Sequence, residues 1–245
     1  MIAKLFIFCT LFFLAGCGSP SSSQNYEIAI DPSWAPLNFE DRQNNILGFV
    51  TELLTEVSKQ ENISISLLNT NWDSLLEGLK AQKYQGVLTS LYPYNFNQDL
   101  YSFSESFLEL GPVLIVPMQS SDASIEKMSE KAVGALSGSP EVLLLEKDPT
   151  ILIHTYDNIP DALNDLVAGN IQAALLPSLT ASAYVNHLYF RKLKIASKPL
   201  TEESLKLITL KGKSPLLIEK FNKAFDSMKK NGDYEKLLSK WNLSS

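Results

Sequence analysis

The chain has 245 residues, 45% of them hydrophobic, with 21 Lys+Arg against 27 Asp+Glu and a net charge of -6. An acidic balance argues against nucleic-acid binding, which needs a basic face. Its cysteines, Cys9 and Cys17, both lie near the N-terminus, so the body of the chain has no thiol for a disulfide, a thiolate metal site or nucleophilic catalysis.

In chain order, residues 1–16 read as a secretory signal. Lys4 is followed by the apolar run Leu5 to Leu14 and then by small residues. The run is too short to span a bilayer as a permanent helix. Leu14-Ala15-Gly16-Cys17 resembles the bacterial lipobox, which implies cleavage before Cys17 and acylation of its thiol and new amino group. Residues 17–25 then form a short polar tether. The mature chain is expected outside the cytoplasm, in the periplasm or at the cell surface, held to a membrane through acylated Cys17.

After the tether, strand and helix signals alternate, the mark of an α/β fold. Strands are predicted at Tyr26 to Ile30, Ile63 to Leu68, Gly86 to Thr89 and Pro112 to Pro117. Helices are predicted from Phe49 to Gln60, with Val50, Leu53, Leu54 and Val57 on one face, and from an Asn71 cap to Gln82. The scheme then repeats. Strands are predicted at Lys131 to Leu136, Ile151 to Thr155 and Gln172 to Leu176. Helices fall at Pro140 to Lys147, Ile159 to Ala168 and Leu179 to Leu188, with Gly169 placed for a left-handed cap. Leu205 to Leu210 is strand-like, and helices over Ser214 to Lys230 and Tyr234 to Trp241 follow.

Leu76 to Leu88 aligns without gaps on Leu163 to Leu175. Both segments read as helix, tight turn and buried strand, which points to two similar α/β lobes. In such sheets ligands collect beyond the carboxyl ends of the strands. Those ends are Thr89-Ser90 and Leu176-Pro177, and two lobes facing each other there would make a closable cleft.

Five segments carry a family resemblance. They are Ile30-Asp31-Pro32-Ser33-Trp34-Ala35-Pro36-Leu37-Asn38-Phe39, Ile46 to Leu53, Trp72 to Ser90, Phe103-Ser104-Glu105-Ser106-Phe107, and Gly232-Asp233-Tyr234-Glu235-Lys236 with Lys240-Trp241. In order and spacing they resemble the extracytoplasmic solute-binding proteins of the polar amino-acid-binding type (family 3), the receptors of ABC importers. The resemblance runs from residue 26 to residue 241. It implies a bilobal periplasmic-binding-protein fold, two α/β lobes joined by a two-stranded hinge with the ligand cleft between them. Lobe 1 would comprise 26–110 and 206–245, and lobe 2 would comprise 111–205. The hinge would lie near Phe107 to Val113 and Lys198 to Leu205. The implied role is binding without catalysis or cofactor: a monomer closes on one solute and docks on ABC permease subunits.

The family holds an α-amino acid by both charged ends, an Arg taking the carboxylate as a bidentate pair and an Asp taking the ammonium. Alignment puts Asn97 in the place of that Arg and Pro177 in the place of that Asp. Pro140 replaces a hydroxyl residue in the loop Val133 to Pro140. The clamp is therefore altered, which argues against a conventional α-amino-acid ligand. Trp34, Trp72 and Tyr92 remain as ring surfaces. Thr89, Ser90 and Ser139 can hydrogen-bond a polar group, Asp31 can receive a cation, and Glu141 stands beside Ser139. Tyr94 and Phe96, in the same loop as Tyr92, are expected in the core. Such a site suits an amino acid or related solute that is flat or weakly polar, or an ammonium lying over ring faces.

Two other readings stand beside this one. A fold-sharing enzyme of the dehydratase type would use Glu141 as an acid or base, and a ligand-free interaction or sensor protein would keep the lobes without the site. His154 and His187 fall in unrelated segments and are expected to be exposed or structural. The chain shows no metal-site spacing, phosphate loop, dinucleotide fingerprint or nucleophile elbow.

Overall fold

The computed structural model describes residues 24–31, 43–121, 124–241 and 243, and of Trp72 and residues 43–45 the backbone alone. The predicted signal, Cys17 and the Trp34 loop lie outside the described residues.

The strands in chain order are β1 (Asn25–Ile30), β2 (Ser64–Asn69), β3 (Gly86–Thr89), β4 (Tyr101–Phe103), β5 (Leu108–Glu109), β6 (Pro112–Pro117), β7 (Ala132–Leu136), β8 (Leu152–Tyr156), β9 (Ala173–Pro177), β10 (Leu193–Ile195) and β11 (Ser204–Leu210). The helices are α1 (Gln43–Glu61), α2 (Trp72–Lys80), α3 (Asn95–Gln98), α4 (Pro140–Leu145), α5 (Ile159–Ala168), α6 (Ser178–Asn186), α7 (Pro215–Asn231) and α8 (Asp233–Lys240). The predicted strands all form, each within a residue of its expected ends. Helix α1 begins earlier than expected, and β4, β5, β10 and α3 were not predicted.

Two sheets result. The first runs β2-β1-β3-β11-β4, with β5 also paired to β11; the second runs β10-β6-β9-β7-β8. In each, the strands that feed helices pair in parallel, β1 with β2 and β3, and β7 with β8 and β9. Long crossovers produce that pattern. The central strands β3, β6 and β9 are buried on both faces, which is why they read as unbroken apolar runs. In β6, Val113 and Ile115 join one cluster and Leu114 and Val116 the other. In β3, Val87 packs on the α2 side with Leu75 and Leu79, while Leu88 packs with Phe49 and Phe221 on the opposite face.

The internal repeat is structural. Asn71 and Asn158 each accept a hydrogen bond from the backbone N–H three residues on, both at 3.0 Å, and so start α2 and α5. The turns after these helices use a left-handed residue at the same aligned place, Gln82 at φ 56° and Gly169 at φ 82°. The strand that follows is β3 in one sheet and β9 in the other, each running between a parallel and an antiparallel neighbour.

The chain crosses between the sheets side by side. Leu110 and Gly111 donate to the Glu203 carbonyl at 2.8 and 3.2 Å, and Leu200 donates to the Pro112 carbonyl at 2.8 Å. A Cβ on Gly111 would stand 2.6 Å from the Thr201 carbonyl oxygen. The strands can lie this close because residue 111 has no side chain.

Candidate functional site

Strand registers place the site. The end of β3 pairs with the start of β11, Thr89 opposite Lys206. The end of β9 pairs with the start of β6, Pro177 opposite Pro112. Both β6 and β11 begin directly after a crossing, so the carboxyl ends of β3 and β9 point toward the crossings from their two sheets. That is where open α/β sheets collect ligands.

A hollow of about 350 Å³ opens beside the crossings, lined among others by Tyr92, Glu109, Lys198, Glu202, Glu203 and Lys206. It lies between the β3–α3 loop of the first sheet and the second crossing. The Tyr92 hydroxyl donates to Glu202 Oε2 at 2.5 Å and ties that loop to the crossing. The carboxylate at this distance raises the phenol's pKa above its ordinary value. Partial desolvation raises the Glu203 carboxyl as well, and repulsion from Glu141 adds to it. Glu141, at the start of α4 in the second sheet's layer, is 7% exposed and lies near enough to Glu203 for their carboxylates to repel.

The remaining predicted residues fall as follows. Asp31 is buried directly after β1. Thr89 is buried, and its Oγ1 accepts from the Leu91 N–H at 3.2 Å. Ser90 is half-buried at the next position. Ser139 caps α4 without a side-chain hydrogen bond, and its buried Oγ has no partner among the described residues. Pro177 ends β9 and stands at the N-cap of α6. Trp34 lies outside the described residues, and Trp72 is described only as the first residue of α2.

Asn97 is buried in α3, and its Nδ2 donates to the Tyr92 carbonyl at 2.7 Å. The side chain braces its own loop.

The expectation that Tyr94 and Phe96 belong to the core is corrected. They are 55% and 66% exposed. Tyr94 packs against Tyr92 with centroids 4.4 Å apart and stacks on Phe96 at 5.5 Å. The reason is local: α3 is a single turn whose buried residue is Asn97, so its neighbours point outward and cover one another. His154 and His187 are exposed as expected. Among the described residues no group of His, Cys, Asp and Glu could hold a metal ion.

Sequence reasoning missed Lys206, Glu202, Glu203 and Glu109. One signal was available: Lys206 is the single charged residue in the apolar run Leu205 to Leu210.

Comparison with known proteins agrees with this geometry. A family model described as bacterial extracellular solute-binding proteins, family 3, matches residues 26–244. The histidine-binding periplasmic protein of Escherichia coli K12 is 27% identical over 227 residues, covering 89% of this chain and 87% of its own. The arginine-binding extracellular protein ArtP of Bacillus subtilis 168 is 25% identical over 241 residues, covering 95% of this chain and 94% of its own. The solved structure of a polar amino acid ABC uptake transporter substrate binding protein from Streptococcus thermophilus matches with a TM-score of 0.72 at 21% identity. It covers 90% of this chain and 88% of that one. The two-lobed periplasmic-binding-protein fold implied by the sequence is the fold observed.

Proposed function

The chain belongs to the bacterial extracellular solute-binding proteins, family 3, and from that membership we propose that it is the receptor of an ABC importer. It closes two lobes on one small solute related to the amino acids and presents the closed form to permease subunits. The relatives it matches are binding proteins of transporters, and no bond is made or broken in such a role.

The observation that carries the reading is a hollow beside the two crossings, lined by Tyr92 of the β3–α3 loop and by Lys206, which pairs with Thr89 at the end of β3. A rotation about the crossings would open and shut that hollow. The altered clamp is part of the proposal. Asn97 is spent on its own loop, and Pro177 offers neither a donor nor a charge. The solute is then held by the rings of Trp34, Trp72 and Tyr92 and by polar groups among Asp31, Thr89, Ser90, Ser139 and Glu141. Acylated Cys17 anchors the monomer outside the cytoplasm.

Small-angle scattering on the purified protein tests the reading. A solute that binds stoichiometrically by calorimetry should reduce the radius of gyration. Binding without compaction, or turnover of the solute, would sink it.

A further inference from the structure

Lys206 is a buried cation that the fold itself does not neutralise at close range. It is 7% exposed. Its Nζ donates to Ser204 Oγ at 2.6 Å and reaches the Ser204 carbonyl at 3.4 Å. Among the described residues no carboxylate lies within ion-pair distance of it. Burial lowers its pKa below the ordinary lysine value, and Glu202 and Glu109 counter this from longer range. An ammonium has three donors, so one remains for another acceptor.

Its position gives that donor a purpose. Residues opposite one another in an antiparallel ladder share a face, so Lys206 stands beside Thr89 at the end of β3. It also lines the hollow next to the crossings. We infer that Lys206 is the anchor for the solute's carboxylate, supplying from β11 the positive charge that position 97 lacks. This deepens the proposed function and rests on it.

The neighbours narrow the ligand further. The hollow also presents Glu109, Glu202 and Glu203, against Lys198 on its rim. A bare anion would meet repulsion from these carboxylates. A solute that carries its own cation would not, because Glu203, with Glu141 near it, can receive that group. The chemistry is that of a small zwitterion with its two ends held by residues other than those at 97 and 177.

Calorimetry on the purified protein and its Lys206→Met variant tests this with matched probes, L-arginine against agmatine and L-histidine against histamine. Each pair differs by the carboxylate. The wild type should bind at least one amino acid about tenfold or more tightly than its decarboxylated partner. Lys206→Met should remove that preference and leave the amine's affinity nearly unchanged, with a melting temperature no lower than the wild type's. Equal loss for both members of a pair, no preference in the wild type, or no binding of any probe at millimolar concentration would overturn the inference. The receptor reading is judged separately: compaction on a solute without a carboxylate would keep the receptor and discard the role of Lys206.

Discussion

At the scale of single residues, Lys206 carries a cost that packing alone does not require. Burial depresses the Lys206 pKa in the folded state, so folding disfavours its charged form. That penalty is fully present below the depressed value, where the residue is charged in both states. It disappears as pH rises through the ordinary lysine range. Lys206→Met should therefore raise stability at neutral pH by about 1 kcal/mol or more, in line with replacement of other buried charges by apolar side chains of similar volume. The gain should shrink toward high pH. Denaturant melts at neutral and alkaline pH measure both, and a variant less stable than the wild type at neutral pH would show that the bonds to Ser204 outweigh desolvation. The site was only partly legible for the same kind of reason. That residues 97 and 177 carry no charge could be read directly from the sequence. Lys206 left one signal, a single charge in an apolar run, but a lone lysine in a strand reads as a solvent-facing residue. Only the register opposite Thr89 shows which way it faces.

At the scale of elements, the long periodic segments were legible and the short ones were not. The Asn71 cap, the left-handed turn at Gly169 and the apolar strands β3 and β6 follow from local chemistry. Strands β4, β5 and β10 have three, two and three residues, too few to show an alternation. They exist because a neighbour, β11 or β6, offers them a ladder. The crossings show the same dependence on tertiary context. Gly111 reads as an ordinary loop glycine in sequence, yet the second crossing passes so close that a methyl group would meet Thr201. Gly111→Ala should cost about 1–3 kcal/mol, the usual range for overpacking, read as a lowered unfolding midpoint. An unchanged midpoint would mean that the crossings can separate without loss, contrary to the tight bonds of Leu110 and Leu200 across them.

At the scale of the whole molecule, the repeat builds the main strands of both sheets on one plan. What the plan leaves open is how the proposed receptor would be kept near a membrane partner, a role the proposal gives to Cys17. Were Cys17 acylated as proposed, residues 17–25 fully extended would span about 30 Å from the lipid to the start of β1. A domain confined to that shell meets a membrane partner at a high effective concentration without any new contact. Cys17→Ser removes the acylated thiol and should move the protein from the membrane fraction to the soluble one. Solute affinity should be unchanged, since residue 17 precedes the whole two-sheet body. Uptake at low solute concentration should fall, because docking then depends on free diffusion. Fractionation of cells expressing the variant, with calorimetry on the same protein, reads the first two outcomes. If the variant stays with the membrane as the wild type does, the anchor is not the lipid on Cys17, and the resemblance of Leu14 to Cys17 to a lipobox is incidental.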